Sequence, residues 1–275
     1  MTIGWLLFTD LNGTLLDDGG SSIDPSLPSL KTLRRLGIPL IPVTSKTLAE
    51  TARLRHTLQL RGPLVAENGA VLAYPGETTQ VAPPGYHRLR DFLVDRRANP
   101  DFNTLGFGDM GLEEIMAATG LPREEAKLAR RRLGSEPLIW RGSEKALTAF
   151  REEVTAARLR LIQGRRCLHL LGDTDKGTAV RHVIKHLRNR ARLVTRTIAM
   201  GDADNDRDML LAADIPVIIR RPDGSHLSLP ERPDALISEQ PGTAGWNQVV
   251  LELLRKYTRQ DAAAPHLPPR AGEEN

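Results

Sequence analysis

Short unbroken apolar runs alternate along this chain with longer stretches in which apolar positions recur every three to four residues. Residues 3–9 read as a buried strand, 27–36 as a helix ending at Gly37, 38–43 as a second strand, 48–58 as a helix and 64–66 as a third, short strand. Strands that alternate with helices predict an α/β fold built on a doubly wound, Rossmann-like parallel sheet. The pattern breaks over residues 74–86, where Pro75, Gly76, Pro83, Pro84 and Gly85 interrupt any regular element. Helical patterns follow at 87–97, 112–118, 123–133 and 144–156, with strand-like stretches at 137–140 and 159–163. They predict a smaller α/β unit inserted into the first. The core pattern resumes with strands at 167–171, 197–200, 215–219 and 235–237, and helices at 177–187, 205–212 and 246–257. The expected boundaries are 1–83 and 166–258 for the two parts of the core and 84–165 for the inserted unit. Residues 259–275, with their Ala-Pro and Pro-Pro steps, are expected to form a disordered tail.

Composition narrows the class. The chain has 275 residues, 40% of them apolar and 26% charged, which is ordinary for a globular protein able to bury a sizeable core. No run approaches the roughly 18 apolar residues of a membrane span. The apolar N-terminal run lacks a basic flank and a cleavage site and ends in Asp10, so it reads as a strand rather than a signal. Cys167 is the single cysteine, which excludes an internal disulfide and suits a reducing compartment; a cytoplasmic location is the expectation. A net charge of +4 raises the question of nucleic acid. However, Glu124, Glu125, Glu152 and Glu153 are interleaved on the same predicted helices, aromatics make up 4%, and no nucleic-acid-binding signature is present. Most of the arginines, Arg130-Arg131-Arg132 among them, therefore read as solvated faces, and neither a nucleic acid nor a membrane is expected as partner.

Four short polar segments fall where predicted strands end or helices begin, which is where an open α/β sheet places its ligand crevice. They are Asp10-Leu11-Asn12-Gly13-Thr14, Thr44-Ser45-Lys46, Asp175-Lys176-Gly177 and Gly201-Asp202-Ala203-Asp204-Asn205-Asp206. Each has a mundane reading by itself: a strand-end turn, a hydroxyl, a surface lysine, a helix cap. Their coincidence points to phosphoryl chemistry, which needs a nucleophile and otherwise mainly charge compensation and positioning. Asp10 is the candidate nucleophile, Thr44 a hydroxyl donor and Lys176 a cation. Asp202 and Asp206 are hard oxygen ligands of the kind that suits Mg²⁺.

The order Asp-x-x-Gly-Thr, Thr-Ser-Lys, Lys-Gly-x-Ala, Gly-Asp-x-x-Asn-Asp resembles the four motifs of the haloacid dehalogenase superfamily, and the insert resembles that superfamily's C2-type cap. Three further strings narrow the resemblance to its mannosyl-3-phosphoglycerate phosphatases: Thr44-Ser45-Lys46-Thr47, Ala66-Glu67-Asn68-Gly69-Ala70 and Gly242-Thr243-Ala244-Gly245-Trp246, together with Arg166 and His169. By that resemblance Asp10 attacks the phosphorus to form an aspartyl-phosphate, and Thr44 and Lys176 hold the phosphoryl oxygens. Mg²⁺ lies between Asp10, the main-chain carbonyl of Asn12 and Asp202, supported by Asp206 and Asn205. Ser45, Lys46, Glu67, Asn68, Arg166 and His169 complete the substrate-binding set, facing the cap, the glycerate or the sugar. The implied partner is a small phosphorylated sugar or glycerate. Arg141, Arg165 and Arg166 stand near the cap exit and suit a carboxylate. The Glu67-Asn68-Gly69 string also reads simply as a hairpin turn.

Two residues depart from the family's pattern. Cys167 replaces an aromatic, and Asn12 stands where a second aspartate usually acts as general acid and base. An amide cannot exchange protons at neutral pH, and such a catalyst is typically worth about 10²- to 10⁴-fold in rate. The expectation is a chain that captures a phosphorylated ligand and Mg²⁺ and hydrolyses slowly. Asn12 precedes Gly13 and is prone to deamidation, which would restore an aspartate in a fraction of molecules. A phosphatase of another sugar phosphate, or a non-hydrolysing phosphosugar-binding protein, is the rival reading.

Overall fold

Alternate residues of the first strand go to opposite sides of the molecule. In β1 (Trp5–Thr9) all five residues are buried. Trp5 and Leu7 enter one apolar cluster and Leu6 and Phe8 another, as the two-residue repeat of a strand covered on both faces requires. The structure is a computed structural model and describes residues 4–17, 22–164, 166–190 and 194–263.

After β1 the chain forms α1 (Leu27–Leu36), β2 (Leu40–Pro42), α2 (Leu48–Leu58), β3 (Leu64–Ala66), β4 (Val71–Ala73) and β5 (Gln80–Val81). The next part comprises α3 (Tyr86–Val94), β6 (Thr104–Gly106), α4 (Leu112–Thr119), α5 (Arg123–Ala129), β7 (Ser135–Trp140), α6 (Glu144–Ala156), β8 (Arg160–Gln163) and β9 (Leu168–Leu171). The chain then runs through α7 (Lys176–Asn189), β10 (Arg196–Gly201), α8 (Arg207–Leu211), β11 (Ile215–Arg220), β12 (Leu236–Pro241) and α9 (Gly242–Ala263).

Five strands in the order β12-β11-β10-β1-β2 make the parallel core sheet. Side chains of α1 and α9 pack one face, among them Leu30, Leu33, Val250 and the fully buried Trp246; those of α7 and α8 pack the other, among them Val180, Val183, Met209 and Leu210. The chain leaves β1 toward β2 on one side and returns to β10 on the other. The switch in strand order therefore lies between β1 and β10, and the crevice opens at their carboxyl ends. A small antiparallel sheet, β3-β4-β5, adjoins β2 through a parallel bridge between Val43 and Val65. The inserted unit has a four-stranded antiparallel sheet in the order β6-β7-β9-β8, with Phe102, Trp140 and Phe150 clustered beneath it.

Residues 167–171, read from sequence as the strand with which the core resumes, instead form β9 in the cap sheet, between β7 and β8. The cap thus extends past the expected boundary at 165, to Leu171. A central strand is buried along its whole length whichever sheet it joins, so an unbroken apolar run cannot tell a parallel core strand from this one. The return to the core is made at Gly172, where a Cβ would lie 1.9 Å from the Pro83 carbonyl oxygen; the outgoing and incoming linkers touch there, and only glycine fits. Residues 64–66 form the third strand as expected; it pairs along its length with β4 in an antiparallel hairpin and meets the parallel sheet through the single bridge at Val65. The α5 helix ends at Ala129 and not at 133, because the backbone N–H groups of Leu133, Gly134 and Ser135 turn to a core carboxylate. The closing helix continues to Ala263, past the expected start of a disordered tail at 259, its last turn rich in alanine. The rest of that tail, 264–275, lies outside the described residues.

Candidate active site

Asp10 leaves the carboxyl end of β1, its backbone N–H donating to Met200 O on neighbouring β10 at 2.8 Å. The strand end is fixed from below. Trp246 Nε1 donates to Thr9 Oγ1 at 3.0 Å, and Thr9 Oγ1 to Asp10 O at 2.7 Å. Through these bonds the Gly242 to Trp246 string supports the residue that carries the nucleophile candidate.

Lys176 opens α7, whose N-cap Asp175 accepts Thr178 N–H at 2.6 Å. The lysine is wholly buried, with Nζ 2.6 Å from Asp10 Oδ1 and 2.6 Å from Asp206 Oδ1. Asp206 Oδ2 accepts the N–H groups of Asp202 and Ala203, both at 3.0 Å, so its two oxygens receive three donors. Asp202 Oδ1 accepts Thr14 Oγ1–H at 3.0 Å. Asp10, Asp202 and Asp206 offer oxygens that all lie within 4.8 Å of one another. Three buried carboxylates around one lysine leave an excess of negative charge. Burial raises the Asp10 carboxyl to about 7; Lys176 opposes this, while Asp206 and Asp202 add to it. Burial by itself lowers Lys176, but the two carboxylates outweigh it and hold the ammonium above the usual lysine range. Such a cluster of hard oxygens is able to hold a metal cation. Asn12 Oδ1 is buried beside it in sequence and, among the described residues, finds no donor.

A scan against family models matches residues 7–84 and 168–222 to the haloacid dehalogenase-like hydrolases. The glucosyl-3-phosphoglycerate/mannosyl-3-phosphoglycerate phosphatase of Methanococcoides burtonii is 35% identical over 266 residues, covering 91% of this chain and 97% of that protein. The protein of the same description from Persephonella marina is 34% identical over 269 residues, covering 92% and 98%. The chain belongs to the haloacid dehalogenase-like hydrolases. Among solved structures, a haloacid dehalogenase-like hydrolase from Bacteroides thetaiotaomicron superposes with TM-score 0.69 at 15% identity (90% of this chain, 98% of that one). One from B. subtilis superposes with TM-score 0.66 at 16% identity (94% and 99%). These show the α/β fold with its cap. As a member of this family the chain is a phosphoric monoester hydrolase.

The remaining candidates of this hydrolase surround the cluster unevenly. Thr44 is buried at the end of β2, its Oγ1 accepting Lys46 N–H at 3.2 Å. Lys46 Nζ lies 3.7 Å from Glu50 Oε1. Asn205 Nδ2 donates to Asn68 Oδ1 at 3.1 Å, joining the loop after β10 to the β3–β4 turn, and Asn68 Nδ2 is buried with no partner among the described residues. That turn is indeed made by Glu67, Asn68 and Gly69, all at positive φ, and Gly69 leaves no room for a Cβ, which would lie 2.3 Å from Asp175 O. Glu67 meets the cap rather than the crevice. Its carboxylate accepts Leu133, Gly134 and Ser135 N–H at 2.9, 3.0 and 2.8 Å, and Ser135 Oγ–H at 2.9 Å.

On the cap side, His169 of β9 is buried with Nδ1 unpartnered among the described residues, and burial, then Arg132, then Lys176 lower its pKa to about 3. Arg166 is exposed and donates to Thr119 O within the cap. Arg141 follows Trp140, at the end of β7 away from Ser135 and about 20 Å along the strand from it; it does not reach the site. Arg165 lies outside the described residues. Reading Arg130-Arg131-Arg132 as a solvated face fails at its third member. Arg130 and Arg131 are exposed, but Arg132 is buried and donates to Ser45 O at 2.8 Å. Thr14 and Arg132 are the residues that sequence reasoning missed. Thr14 stood inside the first motif, whereas nothing in an arginine run marks which member turns inward.

Proposed function

We propose that this hydrolase cleaves a glycosyl-3-phosphoglycerate, of the mannosyl or glucosyl kind, to glycosylglycerate and phosphate. The observation that carries the reading is the buried Asp10–Lys176–Asp206 cluster at the β1–β10 switch point. The substrate class follows from relatives 34–35% identical over more than nine-tenths of the chain.

Asp10 is the nucleophile. Its carboxylate oxygen attacks the phosphorus, the ester oxygen leaves with the glycosylglycerate, and water then releases phosphate from the aspartyl-phosphate. Lys176 favours the ionised form of Asp10 against a burial that favours the neutral acid, and Thr44 and Lys176 bind phosphoryl oxygens. Asp206 holds Lys176 and the loop of Asp202 in place. Asp10, Asp202 and the main-chain carbonyl of Asn12 would hold Mg²⁺, whose positive charge would offset that of the phosphoryl group. The oxygen-only donors, the incompletely offset charge and the unpartnered Asn12 Oδ1 suit such an ion.

Proton exchange with the leaving group is the weak point. Asn12 occupies the position of the acid and base and has no proton to trade, so phosphate capture is retained while turnover is slow. A non-hydrolysing phosphosugar binder is the second reading, and Asn12 favours it. Phosphate release from mannosyl-3-phosphoglycerate and glucosyl-3-phosphoglycerate, against mannose 6-phosphate and glucose 6-phosphate, is measured with and without Mg²⁺. Slow, Mg²⁺-dependent release that prefers the glycerates supports the proposal. Equal release from all four makes the chain a general sugar phosphatase, and none from any, even after Asn12→Asp, makes it a binder.

A further inference from the structure

Two arginines of the cap are largely buried, and their partners differ. Arg90 Nη1 meets Glu136 Oε1 at 2.7 Å, and its guanidinium also pairs with Asp109. Arg132 is 9% exposed, its guanidinium lies 5.8 Å from the centre of the Phe107 ring, and its hydrogen bonds among the described residues go to neutral oxygens: Nε to Ala129 O at 2.8 Å, Nη1 to Ser45 O at 2.8 Å and to Ser135 Oγ at 3.5 Å. Its Nη2 has no hydrogen-bond partner among them. Glu136 feels the Arg132 charge at longer range, but its oxygens are committed to Arg90, Tyr86 and Gly108. A largely buried guanidinium with no carboxylate in direct contact keeps donors to offer an anion, and such groups are candidates for places where one binds.

The placement is specific. Ser45 lies in the second-motif loop at the carboxyl end of β2, so the bond to its carbonyl brings Arg132 to the crevice rim. Both the Arg132 and the Lys176 charge act on the buried imidazole of His169, whose Nδ1 has no partner among the described residues. The loop that carries Arg132 is held rigid by the four donors that Glu67 accepts from residues 133–135.

We propose that Arg132 is the specificity-determining residue for the substrate's carboxylate, which its free guanidinium edge engages while the phosphate lies against Lys176. This rests on the glycerate substrate proposed above. Relative to a sugar phosphate without a carboxylate, the extra anion supplies the counter-charge that Arg132 lacks.

The test uses the full chain with Mg²⁺, titrated calorimetrically with mannosyl-3-phosphoglycerate, its primary carboxamide analogue and inorganic phosphate. The native chain is expected to prefer the acid over the amide by roughly tenfold to a hundredfold. Arg132→Gln abolishes that preference and leaves affinities for the amide and for phosphate within about twofold. Arg132→Lys retains part of it, since an ammonium keeps the charge and loses the planar fork. An undiminished preference in Arg132→Gln overturns the inference and leaves the substrate reading intact. So does an equal loss of affinity for acid, amide and phosphate, which would make Arg132 merely structural. A native chain that binds phosphate but neither glycerate compound overturns both.

Discussion

Two buried cations, Lys176 and Arg132, both act on His169, and the protein holds them in opposite ways. Lys176, on the core, has a carboxylate oxygen 2.6 Å away on each of two sides. Arg132, on the cap, hydrogen-bonds only to carbonyl and hydroxyl oxygens among the described residues and lies over the Phe107 ring. The core half of the site is therefore complete in its cation and over-supplied with anions, a set of oxygens able to hold a metal cation. The cap half keeps a donor in reserve. If the first half carries the proposed chemistry and the second the proposed recognition, the two should respond differently to substitution.

The largest expected effect is on the chemistry. Asn12→Asp restores a general acid and base and should raise kcat by about 10²- to 10⁴-fold, with KM changed only a few-fold because no contact to the substrate's remote end is altered. Steady-state phosphate release from mannosyl-3-phosphoglycerate is the measurement. An unchanged kcat would mean that the core half is not limited by proton transfer.

Stability separates the two cations next. Lys176→Met leaves Asp10 and Asp206 buried and facing each other without their cation, at a cost of about 3–5 kcal/mol, or a fall in Tm of about 6–20 °C for a chain of this size. Arg132→Met strands no charge and should cost under about 2 kcal/mol, the loss of its hydrogen bonds. Similar melting shifts for the two variants would break the comparison. A smaller effect is expected of Glu67→Gln. The amide can accept through one oxygen only, so at least one of the three N–H donors from residues 133–135 goes unmet, at about 1–3 kcal/mol. Hydrogen exchange at Leu133, Gly134 and Ser135 should rise while that of the core sheet does not.

How far these features were legible depends on whether they are local. The β1 run, the helix that stops at Gly37 and the polar segments at strand ends follow from period and turn chemistry, and all appear in the fold. The family is equally legible, because its motifs are short and contiguous. Sheet membership is not local: residues 168–171 look the same to any periodicity argument whether they lie between parallel or antiparallel neighbours. Nor is the end of α5, which stops because Glu67, more than sixty residues earlier, competes for its next N–H groups. Arg132 turns inward through its bond to Ser45 O, more than eighty residues earlier in the chain, so an arginine in a basic run became a site candidate, while Arg141, better placed in sequence, lies at the wrong end of β7.

His169 offers the finest test of the two-cation arrangement, because its proton equilibrium reports on both. Burial, Arg132 and Lys176 together lower its pKa from 6.5 to about 3. Between those values the unfolded chain binds a proton at this residue and the folded chain does not, so unfolding takes up a proton and stability falls as pH drops through the window. Above about pH 6.5 both states are neutral there, and the contribution is fully present. The slope for one such group is about 1.4 kcal/mol per pH unit. His169→Gln should therefore lose about 1 kcal/mol less than the native chain between pH 6.5 and 5.5, measured by urea unfolding at each pH, with Arg132 and Lys176 untouched. Arg132→Met should follow the native chain across that window, since burial and Lys176 still hold the folded-state pKa below it. Parallel acid limbs for the native chain and His169→Gln would show that the imidazole titrates as in water, acted on neither by burial nor by the two cations.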